Sequence, residues 1–157
     1  MDNLLELLEN EYAIYEEILS LSKKKTDIVV QGKVSELDHI VKLEQALVLQ
    51  TSKIEKKKIE IMANFTFDKR NWNITALKEF ATPEQEKKLE DYQNNMKKLL
   101  TELNQVNQLN SKLITNSLEF IEFSLNLFSA ADVTSNNYGS RGDSSNREKK
   151  NLFDIRL

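Results

Sequence analysis

The chain has 157 residues, of which 39% are hydrophobic and 30% are charged, a balance that excludes a disordered protein and is typical of a soluble globular or coiled-coil protein. Its 22 basic and 25 acidic residues give a net charge of −3, which argues against nucleic acid as the main partner. Cysteine is absent, which excludes disulfides and thiolate chemistry, and with only three Gly and one Pro the composition favours a few long helices over a sheet.

The first predicted helix covers roughly residues 2–31. Apolar side chains recur along one stripe, and Leu5, Tyr12 and Leu19 follow strict seven-residue spacing. The amino terminus is acidic and has no unbroken apolar core, so we expect no signal peptide and no membrane span. Gly32 is the natural corner at the end of this helix.

The second predicted helix covers about residues 35–64. Ser35 followed by Asp38 resembles a capping box, which predicts that the helix begins there. Because the loop at Gly32 is short, the first two helices should be antiparallel neighbours. The apolar seam of the second helix consists of Leu37, Ile40, Leu47, Ile54 and Ile61.

A connector and a long third helix follow. Residues 65–82 are rich in aromatic side chains, which we expect to cap one end of the bundle; a ligand pocket is the alternative. Thr82, Pro83 and Gln85 form a complete helix start, with an N-cap hydroxyl, a proline at the first helical position and a Gln at the third. The third predicted helix runs from there to about residue 131.

The long helix changes character along its length. With Leu89 at position a of a heptad, position d stays apolar to the end, whereas position a becomes polar at Asn110, Ser117 and Ser124. Since a straight helix drifts about 20° per heptad, the buried seam should move on by one residue after five heptads, in agreement with new apolar columns such as Ile114, Ile121 and Phe128, and we expect the helix to be nearly straight. Across residues 113–128 the apolar arc covers on the order of 220° of the circumference at 100° per residue, so more than one surface must cover it.

This apolar segment is the candidate protein-binding surface. If the long helix lies back along the second helix, the residues after about position 113 project past the Gly32 corner and stay exposed. The alternative is that the helix slides so that the first two helices cover it. The candidate client-binding residues are Leu113, Ile114, Leu118, Ile121, Leu125 and Phe128.

The last part of the chain, residues 132–157, is predicted to be a flexible tail. Val133 and Tyr138 are the only large apolar residues in 132–151, too few to offset the entropy of ordering them. The last six residues differ from the rest of the tail because they are mostly apolar. They fit a short docking motif on a tether or, alternatively, a terminus that packs back on the bundle. Its large apolar residues are Leu152, Phe153, Ile155 and Leu157.

No motif for catalysis or cofactor binding is found. His39 is the single histidine and lies off the apolar seam, and there is no zinc-binding motif, phosphate-binding glycine loop or nucleophile elbow. Carboxylate pairs such as Glu119 and Glu122 fit a solvated helix face. We therefore expect no enzyme, no metal and no cofactor. The predicted fold is an all-α, elongated antiparallel three-helix bundle or coiled coil (residues 1–131) with a long third helix and a flexible tail.

Several blocks along the chain are shared with a known family. In chain order these are residues 43–47, the Thr-Pro-Glu helix start, the N-x-x-N-x-x-L block in 107–114, residues 117–121 and the terminal Leu-Phe-Asp. Together with the order of the helices, they resemble the FlgN family of flagellar export chaperones over nearly the whole chain.

The resemblance implies a cytoplasmic bacterial chaperone without catalytic activity. Such a chaperone binds the hook-filament junction proteins FlgK and FlgL, prevents their premature assembly and delivers them to the export gate protein FlhA. The resemblance associates client capture with the C-terminal part, here residues 113–128 and the tail. By analogy it makes Tyr138 a gate contact, with Leu152, Phe153 and Ile155 as further docking candidates.

A structural coiled-coil or adaptor protein that self-associates through the long helix, for instance as a homodimer, is the alternative from another class. A chaperone for a different flagellar client would share all of these sequence features.

Overall fold

The computed structural model describes residues 1–63 and 77–135, with side chains described as far as residue 130. Within them the chain forms three helices, α1 (Asp2–Val30), α2 (Val34–Met62) and α3 (Pro83–Ser135), and no strand. The predicted all-α fold with a long third helix is confirmed. The aromatic residues Phe65, Phe67 and Trp72 of the predicted connector, and the tail from residue 136, lie outside the described residues.

The chain divides into two compact units, Met1–Leu118 and Glu119–Leu157. The first unit contains α1, α2 and the first part of α3. The second contains the rest of α3. In the described part of the chain, no helix combines the length and the apolar character needed to cross a membrane.

The corner between α1 and α2 is built on Gly32. Its φ of +66° is a left-handed conformation that glycine adopts without strain, and it lets the Lys33 N–H donate to the Ile28 carbonyl at 3.1 Å. This tight turn starts α2 at Val34, before Ser35 can act as an N-cap, and α2 has no side-chain cap. The capping box predicted at Ser35 and Asp38 is therefore wrong, and Asp38 instead accepts a hydrogen bond from Lys42 Nζ at 2.6 Å.

Contacts between helices fix their directions within the first unit. Glu11, near the start of α1, pairs with Lys58, near the end of α2, whereas Lys25 late in α1 pairs with Glu44 early in α2. The first two helices are therefore antiparallel, as predicted. Tyr92 of α3 donates to Glu11 at 2.8 Å, and Asn110 further along α3 contacts the later part of α1, so α3 runs parallel to α1.

The core of the first unit consists of two apolar clusters. One lies at the start of α1 and consists of Leu4, Leu5, Leu8, Met62, Leu77 and Leu89. The other lies further along α1 and α3 and in the first half of α2, and it consists of Ile18, Leu19, Leu21, Ile40, Leu47, Met96, Leu99 and Leu103. Tyr92 packs against both clusters, which places its ring at their junction.

The predicted start of the long helix is confirmed. The Thr82 backbone N–H donates to Gln85 Oε1 at 3.0 Å, and the Gln85 N–H points back to Thr82 Oγ1 at 3.4 Å, which is the reciprocal pair of a capping box. Gln85 Nε2 also donates to Asp2 Oδ1 at 2.7 Å. This contact sets the start of α3 beside the start of α1.

Candidate protein-binding site

A buried ion pair connects the three helices where the two apolar clusters meet. Lys58 Nζ lies 2.8 Å from both carboxylate oxygens of Glu11, and Tyr92 Oη donates to Glu11 Oε2 at 2.8 Å. Burial alone would lower the pKa of Lys58, but the hydrogen bonds and charges of Glu11 and Glu55 outweigh it and raise that pKa above its usual value. Burial and the Glu11 carboxylate also raise the pKa of the Tyr92 hydroxyl. The pair thus holds Lys58 charged and Tyr92 neutral.

A second polar layer follows the larger cluster. Asn110 of α3 is 2% exposed, its Nδ2 donates to the Ser22 carbonyl at 2.8 Å, and its Oδ1 accepts from Thr26 Oγ1 at 2.6 Å. Lys25 and Glu44 pair beside it at 2.6 Å. Position a of the long helix turns polar at Asn110, yet this residue stays in the interior because its amide has two hydrogen-bond partners on α1.

The burial of α3 decreases after this layer. Leu113 and Ile114, both predicted to bind a client, are half-buried in the first unit. Leu118, at the end of that unit, is 61% exposed. From Thr115 to Ala130 every side chain is exposed except that of Ser124, which is half-buried. α3 therefore contributes side chains to the core only as far as about Ile114.

The part of α3 in the second unit carries a dense set of exposed apolar side chains. We refer to six of them as the apolar face: Phe120, Ile121, Phe123, Leu125, Leu127 and Phe128. Phe120 and Phe128 are 70% and 72% exposed, values far from those of core side chains. The sequence left open whether this segment is exposed or is covered by the first two helices. In the structure, these six side chains are exposed.

A single small residue, Ser124, lies in the middle of the apolar face. At 100° per residue, Ser124 lies between a flank formed by Phe120 and Leu127 and a flank formed by Ile121 and Phe128. The Ser124 hydroxyl donates to the Phe120 carbonyl of its own helix at 2.8 Å, so it leaves no unsatisfied donor. Because serine is much smaller than the residues on both flanks, we expect a shallow apolar channel over Ser124 that can receive the apolar side of another helix.

The face has an acidic border. Glu119 lies just beyond one edge of the face, next to Phe123, and Glu122 lies just beyond the other edge, next to Leu125; both acidic residues are exposed. In residues 113–135 there is no Lys or Arg, while Asp132 adds a third acidic residue. A partner with an apolar strip flanked by basic residues would match this surface.

Comparison with known proteins identifies the family of the chain. The family described as FlgN protein matches residues 1–146 of the chain. The chain belongs to the FlgN family, a family of flagellar export chaperones. An uncharacterized protein of Bacillus subtilis strain 168, YvyG, is 27% identical over 124 residues, which cover 79% of this chain and 78% of YvyG. No solved structure matches the chain.

The FlgN-family chain exposes three large apolar residues that the sequence analysis did not select. Phe120, Phe123 and Leu127 are as exposed as the selected Ile121, Leu125 and Phe128. Phe120 and Leu127 occupy heptad position d, which packs internally earlier in the helix. The signal that could have identified them was the width of the apolar arc, since one internal seam cannot cover on the order of 220°.

Other predicted positions have separate outcomes. His39 is exposed on α2, off the apolar seam as predicted. A groove of about 630 Å³ lies beside it between the end of α1 and the start of α2, with mixed polar and apolar walls. Among the residues that the structure describes, no group of His, Asp and Glu could hold a metal ion. The gate candidates Tyr138, Leu152, Phe153 and Ile155 lie outside the described residues.

Proposed function

We propose that this FlgN-family protein is a cytoplasmic chaperone that binds the hook-filament junction proteins FlgK and FlgL before their export. The observation that carries the proposal is the apolar face, six large apolar side chains left exposed on one helix. Isolated exposed apolar residues are common, but a contiguous apolar patch with a polar border marks an interaction site. In a chain of this family, a flagellar client is the partner that best accounts for it.

The proposed binding mode is a client helix lying along α3. Its apolar side would enter the channel over Ser124, while the two apolar flanks contact it from either side. Leu118, and the exposed edges of Leu113 and Ile114, extend the proposed contact toward the start of the helix. Burial of each large side chain contributes roughly 1.5–3 kcal/mol before the cost of ordering the client. Covering the client's apolar segment would also prevent it from assembling prematurely.

The experiment that tests client binding uses two doubly substituted full-length proteins. The first, Ile121→Asp with Leu125→Asp, places charges on the apolar face. The second, Thr115→Asp with Asn126→Asp, places the same two charges at exposed polar positions of the same helix. Titration calorimetry with purified FlgK and with purified FlgL gives the affinities, and circular dichroism checks that both proteins keep their helix content.

We expect the first protein to lose at least about 100-fold in client affinity, since two buried apolar contacts are replaced by buried charges. The control should bind like the wild type. Equal affinities for the two variants would overturn the proposed site. Failure of the wild type to bind either client would overturn the proposed clients while leaving the face open to another flagellar protein. A stable homodimer that buries the face would favour the structural coiled-coil alternative.

Delivery to the export gate FlhA is a separate part of the proposal, and we assign it to Tyr138. A chaperone that carries a client must leave its gate contact free, which suits a residue outside the client-binding face. Tyr138→Ala should reduce binding of the chaperone–client complex to the cytoplasmic part of FlhA without changing client affinity. Loss of client binding in this variant, or unchanged gate binding, would contradict the assignment.

A further inference from the structure

The second unit contains both an exposed apolar face and, at the end of the chain, an apolar segment. The face consists of Phe120, Ile121, Phe123, Leu125, Leu127 and Phe128. The final segment, residues 152–157, has large apolar side chains at Leu152, Phe153, Ile155 and Leu157. Both belong to the unit Glu119–Leu157. Each is a surface that gains free energy when it leaves water.

We propose that residues 152–157 bind the apolar face of the same molecule and cover it when no other protein is bound. Phe153 and the aliphatic residues of the segment supply apolar side chains of the kind that the channel over Ser124 accepts. The segment is short, so it covers part of the face rather than all of it. A contact of this size is reversible, because a few apolar side chains contribute only a few kcal/mol before ordering costs.

The length of the intervening chain fits this contact. Ser135 is the last residue of α3, and at 1.5 Å per residue it lies about 16 Å along the helix from Ser124. Residues 136–151 separate it from the final segment and are rich in Asn, Ser and Gly. For a chain of about 16 residues with this composition, the expected root-mean-square end-to-end distance is about 20–24 Å. The linker therefore matches the distance, the condition under which effective concentration reaches the millimolar range.

Charge also favours the contact. Residues 113–135 contain three acidic residues and no basic one, whereas residues 136–157 contain five basic and three acidic residues. Arg156 lies within the final segment, and Lys149 and Lys150 lie just before it. When the segment reaches the face, these cations come near the acidic border formed by Glu119 and Glu122. Opposite charges around an apolar contact favour association within the same molecule and weaken with salt.

The contact has a functional consequence that rests on the proposed client-binding role of the face. A client would have to displace residues 152–157, so its apparent affinity would fall by the fraction of molecules whose face is free. The contact itself does not depend on that role and is testable in the absence of any client.

The test measures the distance of the final segment from the face in the full-length protein. Because the chain has no cysteine, Asn151→Cys provides a single site for a nitroxide spin label next to the segment. The readout is the paramagnetic broadening of the methyl signals of Ile121 and Leu125, with the core methyls of Ile40 and Leu47 as a reference. The same label in a protein that also carries Leu152→Asp and Phe153→Asp gives the broadening from an unattached tail.

We expect strong loss of the Ile121 and Leu125 signals with the native segment, and recovery of most of that intensity in the Leu152→Asp, Phe153→Asp protein. A matched control, Tyr138→Asp, changes the other aromatic residue of the tail and should keep the broadening. Equal broadening with and without the two substitutions at the terminus would overturn the proposal.

A mixture separates contact within one molecule from contact between copies. Methyl-labelled protein without a spin label is mixed with spin-labelled protein without methyl labels. No broadening is expected in this sample, and broadening equal to that of the doubly labelled protein would overturn the proposal in favour of a second copy. Since no client is present, failure here leaves the client titrations unaffected, and failure of those titrations leaves this contact unaffected.

Discussion

Lys58 Nζ lies 2.8 Å from both carboxylate oxygens of Glu11, and both side chains are only 7% exposed. The pair joins α1 to α2 where one apolar cluster ends and the next begins. A buried ion pair is a weak source of net stability, because desolvation of two charges offsets much of their attraction. It does, however, penalise any packing that separates the two charges, so it favours one alignment of α1 and α2 over its neighbours.

The first prediction concerns loss of one partner. Lys58→Met leaves the Glu11 carboxylate buried with only Tyr92 as a described hydrogen-bond donor, so we expect a loss of about 3–5 kcal/mol in the free energy of unfolding. The triple change Glu11→Leu, Lys58→Met, Tyr92→Phe removes both buried charges and the hydroxyl that contacts them, and should recover most of that loss, since the remaining partner Glu55 is about half-exposed. Urea unfolding measures both, with the exposed Lys56→Met as the control. A triple variant less stable than Lys58→Met would contradict this account.

The second prediction concerns pH. The pKa of Tyr92 is raised in the folded protein from an ordinary value of 10.0, and that of Lys58 is raised from 10.5. Above about pH 10 the unfolded chain loses these protons while the folded protein keeps them, so the free energy of unfolding falls as pH rises. Tyr92→Phe removes one contribution and should make this fall shallower. Urea unfolding from pH 8 to 11 tests it, and identical slopes would rule out Tyr92 as a contributor.

The third prediction concerns the polar layer at Asn110. Asn110→Ala removes the amide that bonds to the Ser22 carbonyl and the Thr26 hydroxyl, and leaves space in a buried site. We expect a loss of about 1–3 kcal/mol in the free energy of unfolding. Asn107→Ala, at an exposed position one turn earlier, should change it by less than about 0.5 kcal/mol. Similar losses from the two substitutions would show that the buried amide adds no stability.

The fourth prediction concerns the corner. A Cβ added at Gly32 meets no atom within 4 Å, so Gly32→Ala acts only through the backbone. The left-handed φ of +66° should make it cost about 1–2 kcal/mol of unfolding free energy. Gly32→Asn, which tolerates this conformation better, should cost less. Thermal unfolding of the two variants gives the order, and an alanine variant as stable as wild type would mean that the corner relaxes.

Local signals in the sequence predicted the elements well where the deciding interactions lie close together in the chain. The Thr82–Gln85 helix start is one example, since both partners are three residues apart and their chemistry alone defines the cap. Gly32 is another, because a left-handed corner needs that residue. The wrong capping box at Ser35 is also a local matter. Because the turn at Gly32 begins α2 at Val34, Ser35 lies inside the helix and cannot be its N-cap.

Long-range contacts decided what the sequence could not. In the sequence, Asn110 marks the point where position a of the long helix turns polar. In the structure it is buried, because it forms hydrogen bonds with Ser22 and Thr26, more than eighty residues earlier in the chain. Tyr92 fitted the apolar seam of the long helix, whereas Glu11 and Lys58 were charged positions on two other helices. Nothing in the spacing of one helix reveals a partner on another.

The sequence by itself determined the helical class, the corner, the start of α3 and the excess of apolar residues near its end, because periodicity and capping act over a few residues. Only the tertiary structure decided which of those apolar residues stay exposed. Exposure depends on which helices lie alongside a residue. Soon after the Asn110 layer, the side chains of α3 are no longer buried by the other helices. The apolar face is therefore a property of the packed chain, although every residue in it was visible in the sequence.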